Sequence, residues 1–185
     1  MYFDKPGFAN TDKVIELALN TAKERKLKHI ITASNTGHSQ KKLLAYKSDF
    51  NLVCVTHHVG FKEPGLDEMG SDTRDYLSKN GVKILTTSHV LAGVDRAIRN
   101  HFGGVYPAEI MAQTLRIFGQ GVKVAIEISI MALDAGLIPY GEEVIALAGS
   151  ATGLDSAIVI EPAHANRFFD TEVKEIICMP RNKKA

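Results

Sequence analysis

The period of the apolar positions changes repeatedly along this chain, and the changes mark its elements. Val14, Leu17, Ala18 and Ala22 recur at helical spacing behind Asn10-Thr11-Asp12, which offers cap chemistry and an acid in the first turn. The spacing predicts a helix ending near Lys26. His29–Ala33 is a short apolar run that reads as a strand, Ser34–Ser39 as a turn, and Gln40–Tyr46 as the helix it opens into. Leu52–Thr56 reads as a second buried strand. His57–Gly70 holds three glycines and a proline and reads as a loop. A short helix over Asp72–Lys79 precedes a third strand at Lys83–Thr86. Helices follow over 88–101 and 106–118, broken at Gly103-Gly104 and restarted at Pro107. Val122–Ala135 is a long apolar helix stopped by Gly136, and strands follow at Glu143–Ala148, Ala157–Ile160 and Val173–Cys178.

Strands alternating with helices predict an α/β fold: a three-layer sandwich around a mostly parallel sheet of five or six strands. No linker divides the 185 residues, so 1–185 reads as a single domain, with 161–171 the nearest thing to an appendage. The most apolar stretch, Val122–Ile138, is interrupted by Lys123, Glu127 and Asp134, which argues against a membrane span. Net charge is +1, so nothing points to nucleic acid or an anionic membrane. Arg181–Lys184 reads as a solvated basic tail. Cys54 and Cys178 each sit in an apolar run, which excludes a disulfide framework or a CxxC metal site and favours a reducing compartment. Met1–Gly7 has no apolar stretch of a signal peptide, and the expected location is cytoplasmic. The apolar content of 88–118 and 120–136 exceeds what one small sheet face needs, so a homodimer is expected.

The strongest local signal is the strand, loop and helix around Thr32-Ala33-Ser34-Asn35-Thr36-Gly37-His38-Ser39. A loop at a strand's carboxyl end, opening a helix with free N–H groups, suits a phosphate. Ser34, Thr36 and Ser39 add hydroxyls, and Gly37 lets the backbone approach an anion. A plain helix cap explains the same residues, because the loop is neither a Walker loop nor a GxGxxG.

Asn10–Thr56 resembles the opening of the C-terminal α/β domain of pyruvate kinase, with its helix, strand, Thr-x-Ser-Gly-x-Ser/Thr loop, helix and strand. Here Asn35-Thr36 stand where that family has one glycine, and Gly37 follows. Leu77–Val82 resembles the family's Leu-x-x-x-Gly-Val before its third strand, Gly141–Gly149 its Gly-Asp-x-Val-x-Val-x-x-Gly strand, and Gly153–Ile158 its Gly-Thr-Thr-Asn-x-Ile. The resemblance lapses across about 87–119, which reads as a helical insertion, and after Glu161. It implies strand order 3-2-1-4-5 with the last strand antiparallel.

In pyruvate kinases this loop holds the phosphate of an allosteric sugar phosphate or another anion, which carries over to Thr32, Ser34, Asn35, Thr36, Gly37 and Ser39. The pyruvate kinase reaction itself needs a TIM barrel, for which 185 residues leave no room. The resemblance therefore implies a stand-alone relative of the regulatory domain. Such relatives are associated with flavin mononucleotide (FMN), the cofactor expected here, with the reaction open. On that reading Thr56, His58 and Gly60 after the second strand, and Gly149, Ser150, Thr152 and Gly153 after the fourth, converge with the first loop on a small phosphorylated ligand. The alternative is a sensor that binds a sugar phosphate or phosphate without chemistry.

Three other features stay open on sequence alone. Adjacent His57-His58 point apart on an extended chain and make a poor chelate, though one can touch a ligand. Glu127 either pairs with Lys123 one turn earlier or reaches the ligand. Ser88-His89 can approach the same cleft, and Glu161–Arg167, with His164, can close over it or meet a second subunit.

Overall fold

A computed structural model describes residues 1–183. Seven strands form one sheet: β1 (Tyr2–Phe3), β2 (His29–Ala33), β3 (Asn51–Val55), β4 (Lys83–Leu85), β5 (Val144–Ala148), β6 (Ser156–Glu161) and β7 (Glu172–Pro180). Their spatial order is β1-β7-β6-β5-β2-β3-β4. β2, β3, β4 and β5 are mutually parallel, β6 runs antiparallel to β5 and β7, and β1 pairs parallel with β7. The fold is therefore α/β with the expected order, extended by two edge strands.

β1 is the strand the pattern does not reveal. Two residues are too few to show a period, and their pairing depends on a partner at the far end of the chain. The Met1 amino group donates to Ile177 O at 2.6 Å and the Arg181 N–H to Phe3 O at 2.7 Å. The start of the basic tail is thus tied to the sheet; Lys184 lies outside the described residues.

The helices are α1 (Thr11–Arg25), α2 (His38–Leu43), α3 (Ser71–Lys79), α4 (Gly93–Phe102), α5 (Pro107–Leu115) and α6 (Gln120–Asp134). On one sheet face Val14, Ile15, Ala18 and Leu19 of α1 and Leu43 and Leu77 of α2 and α3 pack on Ile30, Leu52, Ile145 and Leu147. On the other, Val122, Ala125, Ile126 and Ile130 of α6 pack on Ile31, Val53, Val144, Ala146 and Ile158. Successive β5 residues thus serve opposite layers, and all five are buried. Burial pushes the Cys54 thiol up to about 12 and Cys178 up to about 11, and both are free. Among the described residues no helix is long and apolar enough to cross a membrane.

The stretch after β6 is a 3-10 segment, Ala165–Asp170, packed beside α6. His164 Nδ1 lies 2.8 Å from Asp134 Oδ1, and its ring stacks on Tyr140. Because β6 is antiparallel, Glu161 and His164 emerge at the sheet edge opposite the carboxyl ends of β2, β3 and β5. They do not close over a site there.

Candidate functional site

The chain leaves β2 toward β3 and returns on the other side of β2 as β5. Loops leaving β2 and β5 therefore diverge, and a crevice opens where the strand order reverses. A cleft of about 650 Å3 occupies this position. Its walls are the loops after β2, β3 and β5, the first two turns of α6, and residues from the segment between β4 and α6.

Ser34, Asn35, Thr36 and Ser39 of the β2 loop line the cleft. The Ser34 N–H donates to Val55 O at 3.0 Å, which fixes the loop to β3. Two residues assigned here by sequence do not face the cleft. Thr32 is fully buried on the sheet face of Ile30, and its Oγ1 has no partner among the described residues. Gly37 lies behind the loop with φ +80°, and a Cβ there would come within 2.6 Å of Thr73 Cγ2 and 3.2 Å of Leu77 Cδ1. The close approach of α2 to α3 and the positive φ by themselves require glycine here.

After β5, Gly149, Ser150, Thr152 and Gly153 line the cleft as expected. At Gly149 a Cβ would collide with Gly153 O, so the loop can close this tightly only on glycine. Asp155, fully buried, holds the turn. Its Oδ2 accepts the Ser150 N–H at 2.9 Å and the Gly7 N–H at 3.1 Å, and its Oδ1 accepts Ser156 Oγ–H at 2.9 Å. Thr11 Oγ1 accepts the Leu154 N–H at 3.0 Å and donates to Phe8 O at 2.7 Å, sealing the loop with the N-terminal segment.

After β3, Thr56 lines the cleft with its hydroxyl 2.7 Å from that of Thr86. His58 and Gly60 do not line it. His58 Nδ1 turns to Val59 O at 2.8 Å, and Gly60 closes a turn by donating to Leu66 O at 2.9 Å. His57 takes the place expected of His58. Asn35 Oδ1 accepts the His57 backbone N–H at 3.0 Å, leaving Asn35 Nδ2 to donate to His57 Nε2 at 3.1 Å. In the neutral ring Nε2 is then the acceptor, so Nδ1 carries the proton and donates to Glu68 Oε1 at 2.6 Å. Burial raises the Glu68 carboxyl, but hydrogen bonds from Lys62 and His57 outweigh it and hold it below the usual range. Asn35 lines the cleft, but its amide is committed to His57. The Phe61 ring stacks on His57 at 3.6 Å between centroids, and His89 lies 5.8 Å from Phe61.

Gln120, Lys123, Val124, Glu127 and Ile128 present one face of α6 to the cleft. Lys123 and Glu127 form a buried ion pair, and Glu127 Oε1 also accepts the Leu91 N–H at 2.9 Å. Both readings of Glu127 therefore meet in one place: it is paired and it lines the cleft. Burial lowers the Lys123 amine, which Glu127 opposes and Arg116 and Arg96 reinforce. Burial likewise lowers the His89 imidazole, against the pull of Glu127.

Phe61, Glu68, Arg96, Arg116, Gln120 and Asp155 were not legible as site residues. They come from an irregular loop, from helices whose pattern speaks only of packing, and from a turn residue. The sole sequence signal was the acid of Gly153-Leu154-Asp155, two residues past a loop glycine.

The element order, the switch-point cleft and the strand-end loops agree with a comparison against protein-family models, which matches "Pyruvate kinase, alpha/beta domain" over residues 12–160. That match spans most of the chain, and the protein belongs to the pyruvate kinase α/β domain family.

Proposed function

We propose that this cleft binds a phosphorylated planar cofactor, FMN, with its phosphate at the Ser34–Ser39 loop. The observation that carries the reading is the cleft at the sheet's switch point, about 650 Å3 in volume and lined by hydroxyl-bearing loops and an excess of cations. Ligand sites for small cofactors run from about 300 to 1,000 Å3. Lys62, Arg96, Arg116 and Lys123 line it against Glu68 and Glu127, in a chain of net charge +1. That concentration of positive charge favours an anionic ligand in the cleft.

The donor set fits the group in its other parts too. Ser34, Thr36 and Ser39 offer hydroxyls to the phosphate, and Ser150 and Thr152 face the same space for a ribityl chain. Val55, Ala92, Val124 and Ile128 supply apolar surface, and the His57, Phe61 and His89 rings supply flat surface for a tricyclic ring. Bound flavin would supply redox chemistry; this chain's residues bind and orient it.

The same reading places the protein in a reducing cytoplasm, because both cysteines are buried and unpaired. It also gives it a second copy as partner. Val94, Phe102, Val105, Ile110 and Ile117 all expose more than half their surface within one stretch of chain, and so many exposed large apolar side chains support an interface there.

The test is to denature the purified protein and identify the small molecule it releases by mass spectrometry. FMN is the expected result. A colourless protein that binds phosphate or a sugar phosphate, and takes up no added FMN, would overturn the flavin reading in favour of a sensor.

A further inference from the structure

Two of the four cations lining the cleft have no carboxylate to answer them. Lys62 pairs with Glu68 and Lys123 with Glu127, whereas Arg96 and Arg116 have no acidic partner within 4 Å among the described residues. Arg116 is half-buried and held in place: its Nε donates to Gln120 Oε1 at 2.6 Å. With Nε engaged, the two terminal nitrogens remain, and their paired N–H bonds match the two oxygens of a carboxylate. The Arg96 guanidinium sits 5.9 Å over the Phe61 ring, at the aromatic side of the cleft.

The surroundings raise the potential further. α6 begins at Gln120 with no acid in its first turn, so the positive end of a 15-residue helix adds to Arg116 and Lys123. Arg116 and Arg96 are close enough to Lys123 to disfavour its charged form, after burial and against the pull of Glu127. Cations that repel one another at the wall of a cleft, held by a neutral glutamine, are stabilised by an anion. None of them belongs to the strand-end loops that receive the phosphate.

We propose that Arg116, with Lys123 beside it and Arg96 at the rim, forms a second anion subsite that takes the carboxylate of a small organic acid, bound next to the cofactor. The proposal deepens the cofactor reading and rests on it for the carboxylate's being a reaction partner. The subsite itself stands on the cation cluster alone.

The test is calorimetric titration of the full-length protein with malonate, before and after loading with FMN, for the unmutated chain, Arg116→Gln and Ser34→Ala. Arg116 is partly solvent-exposed, so its loss should leave the melting temperature unchanged. Malonate should bind the unmutated chain, and Arg116→Gln should weaken it by about ten- to a hundred-fold, the worth of one or two charge-assisted hydrogen bonds. Ser34→Ala should leave malonate binding alone while weakening FMN. Malonate binding that depends on Arg116 in a chain that takes up no FMN supports the subsite and removes the flavin. Absence of malonate binding, or equal binding by Arg116→Gln, overturns the subsite whatever FMN does. Inorganic phosphate that binds more tightly than malonate with the same dependence on Arg116 overturns the carboxylate assignment.

Discussion

The sheet body and the helical segment between β4 and α6 obey opposite rules. Every residue of β5 is buried, and its side chains alternate between two packed layers. α4 buries no residue at all, and α5 buries only Ala112. Yet α4 places Arg96 in the cleft, and the turn after α5 places Arg116 there. The body builds the crevice, and the segment between β4 and α6 adds the two cations that are unpaired among the described residues. Stability and ligand chemistry should therefore separate on mutation, and that separation can be broken in several ways.

The largest effect should come from the buried pair in α6. Glu127→Ala leaves the Lys123 ammonium buried without its carboxylate and the Leu91 N–H without an acceptor. Breaking a buried pair on one side costs about 3–5 kcal/mol. Chemical denaturation should show a loss of that order, whereas Val94→Ala in α4 should fall within about 0.5 kcal/mol of the parent. Equal small losses would show that the pair is solvated and the contrast between the regions false.

Gly37→Asp should come next. Its Cβ meets Thr73 and Leu77 at a backbone conformation that side chains rarely adopt. The expected loss is at least about 1 kcal/mol, read as a lower melting temperature in the absence of ligand. An unchanged melting temperature with abolished FMN binding would return Gly37 to the ligand.

A smaller, pH-dependent effect belongs to His89. Its imidazole is held below the ordinary value of about 6.5, so the unfolded chain binds a proton that the folded one refuses. Stability from this source is intact above about pH 6.5 and declines as pH falls below it. His89→Gln should flatten that part of the profile. An unchanged slope in the variant would show that His89 is protonated normally.

The smallest effect on stability should be at the exposed apolar side chains of α4 and α5. Phe102→Ser is expected to leave the melting temperature nearly unchanged but shift sedimentation from dimer to monomer. A parent chain that already sediments as a monomer ends that expectation.

The body was legible because burial on both faces leaves an unmistakable apolar run, as in Val144–Ala148, and because α1 repeats its core positions at helical spacing. Strand order and the loops after β2 and β5 followed from resemblance and are present as expected. β1 was hidden because its pairing depends on a strand some 175 residues away. The site was half legible. Hydroxyls and glycines at strand ends announce themselves by type, but the type alone does not show that Gly37 also sits against Thr73 and Leu77, where helix packing requires a glycine. His57 and His58 are adjacent, and only the Asn35 and Glu68 hydrogen bonds decide which one faces the cleft. Arg96 and Arg116 read as ordinary polar positions of amphipathic helices, because the cleft they enter is made by other elements.

The cleft at the switch point of the sheet is proposed to be a phosphate-selective flavin site. Its most direct measurement compares the binding of FMN and riboflavin, which share a ring and differ in the phosphate, to the unmutated chain and to a Ser34→Ala, Ser39→Ala double variant. FMN should bind the unmutated chain at least about ten-fold more tightly than riboflavin, since hydrogen bonds to a charged group are worth about 1.5–3 kcal/mol each. The double variant should lose most of that preference while keeping its riboflavin affinity. Equal binding of the two ligands by the unmutated chain would contradict the phosphate site.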